Sequence, residues 1–322
     1  MNTNHIKTQL AMEVYNIGEL SLMQRFSAAL AKGVSRYPIH RVLRFAVRGE
    51  LEPFFDKLAL REDWCALRVD DTHLVLDTGK LLISAQGNRK SDYCSCHFEI
   101  WSADVETAEA AKAVILETAG SARLTEPMFS IDWYFLTSRG SLECATIEEL
   151  ANDVLLDEAY PGVDGGVNAF IDRYLASDET VLVLQGPPGT GKTRLVRAIL
   201  GRISRRTGEE AQVMYTGDKK TLESDQIFVK FITGWEDAFV VEDADHILRP
   251  RSDGNEHLHR FLTIADGVVR SQGRKIIFTT NLPNVGDLDE ALVRPGRCFA
   301  RVNIREMTHA EAIVFIDARL PD

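Results

Sequence analysis

One stretch constrains this chain more than any other: Gly186-Pro187-Pro188-Gly189-Thr190-Gly191-Lys192-Thr193. It follows at once on the apolar run Val181–Leu184, and the residues after it, 194–203, keep a helical pattern. Strand, glycine-rich loop and helix in that order form a cradle for an anion. The glycines let successive backbone N–H groups turn inward, and the helix N-terminus adds partial positive charge. Lys192 can then reach the β- and γ-phosphates of a nucleotide, and the Thr193 hydroxyl can ligate Mg²⁺. A chance Gly/Pro-rich turn is the bland alternative.

Three further elements come downstream. Ala238–Val241 is apolar and ends in Glu242-Asp243-Ala244-Asp245. Acids at a strand's C-terminal end meet ligands in open α/β sheets. One of them can hold the Mg²⁺ water shell while a second orients and polarises an attacking water. Taken alone, the acids also fit a solvated turn. Next, Ile276–Thr280 ends in Asn281, which can hold that water or the γ-phosphate, or can simply open the loop that contains Pro283. Last, Arg294 and Arg297 sit in a tight turn, Arg294-Pro295-Gly296-Arg297. Such a cationic edge either makes surface ion pairs or faces a neighbouring subunit's phosphates. Finding all four in this order weakens each bland reading together.

The rest of the second half alternates strand and helix. Strands are expected at 180–185, 212–215, 238–241, 275–280 and 300–304, with a helix at 168–176 ahead of them. Alternation with apolar strands implies a parallel sheet covered by helices on both faces. After Ile304 there is room for about one helix, expected at 308–319. The first half reads differently. Strands are expected at 65–69, 73–76, 81–84, 93–101 and 128–137, with a helix at 105–118, which together make an α+β unit. An apolar stripe, Leu22, Met23, Phe26, Leu30 and Val34, predicts a helix over 20–36, and Pro38 and Pro53 interrupt the helical pattern beyond it. The acidic residues Glu148, Glu149, Asp153, Asp157 and Glu158 mark a boundary within 140–160, so the domains are expected at 1–150 and 151–322.

Composition excludes several classes. A net charge of −11 argues against a chain that coats nucleic acid. No apolar run is long enough to span a bilayer, and no secretory signal opens the sequence. The five cysteines read as reduced thiols, which makes a cytoplasmic location the expectation. Cys94-Ser95-Cys96-His97 invites a metal reading, but on a strand the two cysteines face one way and His97 the other.

Residues 170–306 resemble the AAA subfamily of AAA+ ATPases. The loop at 186–193 is similar to Walker A, Glu242-Asp243 to a Walker B end with the acid order inverted, Asn281 to sensor 1, and Arg294 and Arg297 to paired arginine fingers. Phe261–Gly267 looks like the family's helix before the sensor strand. The inverted order, with Leu222-Glu223-Ser224-Asp225 ahead of it, is similar to the branch of the mitochondrial translocase of the Rieske protein and its soluble bacterial relatives. The resemblance implies ATP and Mg²⁺ as ligands and hydrolysis as the activity. It gives Gly186, Pro187, Pro188, Gly189, Thr190, Gly191, Lys192, Thr193 and Arg194 to the nucleotide. It gives Thr193, Glu242 and Asp243 to the metal side, and Lys192, Glu242, Asp243, Asn281, Arg294 and Arg297 to catalysis. It also implies a homo-oligomer of six or seven subunits.

The sequence departs from the family in four places. The inversion gives Glu242 the metal-side role and Asp243 the catalytic one. No aromatic–apolar–Gly pore loop follows the strand at 212–215. Cys298-Phe299-Ala300 stands where an Asp usually follows the second arginine. The lid is very short, and no sensor 2 arginine can be assigned.

Three functional readings follow. The first is a ring that remodels or moves a protein client bound by the N-terminal unit. The second is a nucleic-acid-linked ATPase with Lys219, Lys220 and 249–251 lining a pore, which the net acidity disfavours. The third is a slow ATP-dependent switch or scaffold.

Overall fold

The computed structural model describes residues 37–207, 210–250, 257–265, 273–284, 288–292, 294 and 296–319. The helix expected over 20–36, and Arg251, Asp266, Gly267 and Pro295, lie outside these residues. The chain forms two compact units, 1–125 and 126–322.

Among the described residues, the first unit is a five-stranded antiparallel sheet with two α-helices. Its elements are β1 (Ile39–Arg48), α1 (Glu52–Ala59), β2 (Cys65–Arg68), β3 (His73–Asp77), β4 (Leu81–Arg89), β5 (Tyr93–Ser102) and α2 (Val105–Ala119). The strand order is β1-β5-β4-β3-β2. The alternation along β5 puts Cys94, Cys96, Phe98 and Ile100 into one core with Phe45, Phe54 and Phe55. The two cysteines are therefore core residues, packed on the face opposite His97. Asp77 and Gly79 turn the chain from β3 to β4: the Gly79 N–H donates to Asp77 Oδ1 at 2.7 Å and Gly79 takes φ +85°.

Two elements differ from the sequence expectation. β1 carries its core residues at Leu43, Phe45 and Val47, between arginines at 41, 44 and 48, and that charge hides the alternation. Pro53 does not end a helix. It lies in the first turn of α1, where a missing N–H costs nothing.

The second unit is a seven-stranded sheet in the order β12-β8-β11-β10-β9-β6-β7. Its strands are β6 (Met128–Leu136), β7 (Leu142–Leu150), β8 (Val181–Gln185), β9 (Ala211–Thr216), β10 (Ala238–Val241), β11 (Lys275–Thr280) and β12 (Cys298–Asn303). Neighbouring strands from β12 to β6 are parallel; β6 and β7 pair antiparallel. The helices are α3 (Val167–Ala176), α4 (Lys192–Thr207), α5 (Lys219–Glu223), α6 (Asp225–Thr233), α7 (Asp245–Leu248), α8 (Leu258–Ala265) and α9 (His309–Asp317). Two apolar cores, one holding Phe231, Phe239, Phe261 and Phe278 and the other Leu182, Leu184, Leu195 and Ile199, account for the wholly buried strands. This is the parallel sheet between helices that the alternation predicts.

The boundary moves. Residues 126–150, assigned from the sequence to the first domain, belong to the second unit: β6 pairs with β9 from Phe129↔Ala211 to Trp133↔Tyr215. Phe129 and Tyr134 are core residues there. The acids at 148 and 149 sit on β7 inside the sheet, and Glu149 and Asp153 both pair with Arg197 of α4, at 3.6 and 2.8 Å. After β12 comes α9, closed by a Thr308–Glu311 capping box; it matches the one helix expected there. No helix among the described residues is long and apolar enough to cross a membrane.

Candidate nucleotide site

The C-terminal ends of β8, β10 and β11 meet in one cleft lined by Pro188, Gly189, Gly191–Arg194, Glu242, Asp243, Thr279 and Asn281. The phosphate loop leaves β8 at Gly186, whose N–H donates to Thr280 O at 3.1 Å. Gly186 has φ +154°, and a Cβ there would stand 1.9 Å from the carbonyl oxygen of Ile304. Only glycine lets the loop pass this close to the backbone that follows β12.

Lys192 opens α4 and is buried. Its Nζ donates to Gly186 O at 2.7 Å, to Pro187 O at 2.8 Å and to Asn281 Oδ1 at 2.9 Å. Burial lowers its pKa, against the pull of Asp243, Asp245 and Glu242. The Thr193 hydroxyl donates to Glu242 Oε1 at 2.7 Å. Arg194 lines the same cleft, while its guanidinium donates to Val154 O at 3.2 Å.

The two acids part company because the backbone turns between them. Glu242 N donates to Thr216 O at 3.0 Å, continuing the ladder of β10 and β9. Asp243 has φ +49°, the one non-glycine positive φ among the described residues. That conformation costs most residues about 1–2 kcal/mol and is tolerated best by Asp and Asn. It is held by Asp243 N donating to Thr279 Oγ1 at 3.1 Å and Ala244 N to Thr279 O at 2.9 Å. The turn sends the Asp243 carboxylate to Asn281, whose Nδ2 donates to Asp243 Oδ1 at 2.9 Å. Asp245 fixes Asn281 from beneath, accepting from its backbone N–H at 2.9 Å and from the Thr280 hydroxyl at 2.6 Å.

Two hydrogen-bonded groups therefore meet in this cleft, Lys192–Asn281–Asp243 and Thr193–Glu242. Arg294 and Arg297 are not among the residues that line it. Arg294 is exposed, and Arg297 donates to Ala291 O at 2.9 Å, tying its own turn.

The sequence reading missed residues that shape this cleft. Tyr215, next to last in β9, donates to Glu242 Oε2 at 2.6 Å. Burial first, then this bond to Glu242, raises its pKa well above the ordinary phenol value. Tyr160 donates to Gly191 O at 3.0 Å, and burial pushes its pKa up to about 12. Thr279 holds the turn at Asp243. Thr279 could have been found by asking which polar side chains lie in the last residues of the strand that leads into Asn281.

Mg²⁺ prefers hard oxygen ligands. The Thr193 hydroxyl and the Glu242 carboxylate offer such oxygens side by side, so the donor set fits this ion.

A parallel sheet with a glycine loop between strand and helix, a lysine in that loop and acids at a neighbouring strand end define a P-loop nucleotide-binding domain. Residues 182–306, under half of the chain, match the family model described as "ATPase family associated with various cellular activities (AAA)". The chain is similar to the ATP-dependent zinc metalloprotease YME1 homolog of Caenorhabditis elegans, 32% identical over 133 residues, 38% of this chain and 18% of that protein. It is similar to the ATP-dependent zinc metalloprotease FtsH of Heterosigma akashiwo, 30% identical over 164 residues, 46% of this chain and 24% of that protein. The 26S proteasome regulatory subunit 7 homolog of Schizosaccharomyces pombe is 33% identical over 133 residues, 38% of this chain and 30% of that protein. The chain thus spans less than a third of the length of these relatives.

Proposed function

We propose that the protein binds ATP with Mg²⁺, hydrolyses it, and uses the turnover in a homo-oligomeric ring to remodel or move a protein client. The observation that carries this reading is that two hydrogen-bonded groups, Lys192–Asn281–Asp243 and Thr193–Glu242, converge in one cleft at the C-terminal ends of β8, β10 and β11. The backbone of Gly186–Thr193 cradles the phosphates, and Lys192 exchanges loop carbonyls for phosphate oxygens. Thr193 and Glu242 would hold the Mg²⁺, which would supply charge neutralisation at the phosphates. Asp243, braced by Asn281, orients the attacking water and takes its proton. The exposed Arg294 reaches a neighbouring subunit's γ-phosphate, with Arg297 stiffening the turn that presents it.

The resemblance supports six or seven subunits. The first unit serves as the client or assembly module, and the setting is cytoplasmic. The Glu242-Asp243 order supports placing the chain in the branch of the mitochondrial Rieske-protein translocase and its soluble bacterial relatives. The matched relatives are ATP-dependent proteases and a proteasome subunit by name, which supports a protein client over a nucleic acid.

The test is a single sample read two ways. Particle mass is measured with and without Mg-ATP, and phosphate release is followed in the same tube. Nucleotide-dependent assembly with Mg²⁺-dependent release is the expected result. Assembly without turnover would replace the machine with a switch.

A further inference from the structure

Glu242 is held from two sides. Thr193 Oγ1 donates to its Oε1 at 2.7 Å, and Tyr215 Oη donates to its Oε2 at 2.6 Å. Thr193 belongs to the phosphate loop and is accounted for by the site itself. Tyr215 comes from a different strand, β9, and has no part in the nucleotide cradle. Its ring packs edge-on against Trp133 of β6, with ring centres 5.5 Å apart. Trp133 and Tyr215 are also register partners between β6 and β9. The hydroxyl is thus aimed at the carboxylate by a neighbouring strand, and it points at the one acid whose backbone continues the ladder of β10.

Resting on the nucleotide reading above, we infer that Tyr215 is a positioning residue for the metal-side acid. By occupying Oε2 it fixes the Glu242 rotamer and leaves Oε1 beside the Thr193 hydroxyl, the pair of oxygens that would hold Mg²⁺. A glutamate reaches further than an aspartate and has one more torsion to freeze. With the acid order inverted, the longer side chain stands on the metal side, and the phenol supplies the restraint it lacks. Groups that orient a metal's carboxylate ligands typically change metal affinity about 10–100-fold when removed.

The test uses the full chain carrying Asp243→Asn, so that bound ATP persists. Binding of a fluorescent ATP analogue is titrated without Mg²⁺ and then at rising Mg²⁺ concentration. Tyr215→Phe removes only the hydroxyl and keeps the ring on Trp133, and its melting curve checks the fold. Without Mg²⁺ the affinity stays within about twofold, because Tyr215 touches no phosphate. The Mg²⁺ half-saturation point rises about tenfold. In a Glu242→Gln background the same Tyr215→Phe change adds nothing further, since it acts through the carboxylate. An unchanged Mg²⁺ midpoint, or a shift that persists in the Glu242→Gln background, overturns the inference while leaving the nucleotide reading intact. A parent chain whose analogue binding ignores Mg²⁺ overturns the nucleotide reading, and this inference with it.

Discussion

Asn281 Nδ2 donates to Asp243 Oδ1 at 2.9 Å, while the same amide's oxygen accepts from Lys192. One side chain therefore ties the acid proposed to orient the water to the lysine proposed to hold the phosphates. Asn281→Ala is expected to lower kcat about 100-fold, with KM for ATP changed less than about threefold, since the bond matters most as the water attacks. Steady-state phosphate release with an independent dissociation constant separates the two.

The left-handed backbone at Asp243 makes a different kind of test. Asp243→Asn keeps a residue that accepts φ +49°, so stability holds while hydrolysis falls by at least about 1,000-fold. Asp243→Val loses hydrolysis as well and also costs about 1–2 kcal/mol of stability, because a β-branched residue pays fully for that conformation. Urea unfolding of the two variants, set beside their rates, reads both terms. Equal stabilities would argue against strain at this position.

Gly186→Ala should damage the cradle more than its small size suggests. The added Cβ meets a backbone oxygen, Ile304 O, at 1.9 Å, and neither partner is a flexible side-chain tip. A loss of about 2–3 kcal/mol is expected, with ATP affinity reduced at least tenfold. Isothermal titration and thermal melting check each part.

Arg294 is exposed and is not among the residues that line the cleft. Arg294→Ala is expected to spare ATP binding and abolish turnover in the assembled protein. Mixing it with Asp243→Asn chains should restore part of the activity, because some interfaces then combine an intact acid with an intact arginine. Normal hydrolysis by Arg294→Ala alone would exclude a role for this side chain across the interface.

How much of this was legible beforehand depended on distance along the chain. The loop at Gly186–Thr193 announces its strand and its helix because the three are contiguous. The strand ends at Glu242 and Asn281 could be read because apolar runs stop there. β6 was visible as a strand, yet its partner β9 begins 75 residues after Leu136 (211 − 136), and nothing local encodes such a pairing. The same limit hid Tyr215: its meeting with Glu242 is a product of strand register. The alternation of β1 was obscured by Arg44 and Arg48, and the left-handed turn at Asp243 left no mark beyond an Asp that tolerates it.

His97 offers a pH test in the first unit. Burial, and then the positive charges of Arg44 and His40, lower its pKa to about 4. An unfolded histidine takes up its proton near pH 6.5. The native state therefore binds fewer protons between these values. The associated stability is present above pH 6.5 and is lost as pH falls toward 4, by about 3 kcal/mol in all. Amide exchange of β5 in the full chain should show this slope, and His97→Gln should flatten it. A parallel slope in both chains would remove His97 as the cause.

The strands β6 and β7 lie outside the segment 182–306 that defines the domain by likeness. For anyone building with this protein, the portable piece is accordingly longer than the recognisable one. A fragment starting at 151 would strip β9 of its neighbour, bare a hydrogen-bonding edge, and leave unfilled the space that Phe129 and Tyr134 occupy. The nucleotide machinery cannot be lifted out as a cassette at its motif borders. It travels with the hairpin that precedes it, and a cut at 125/126 is the one that respects the sheet.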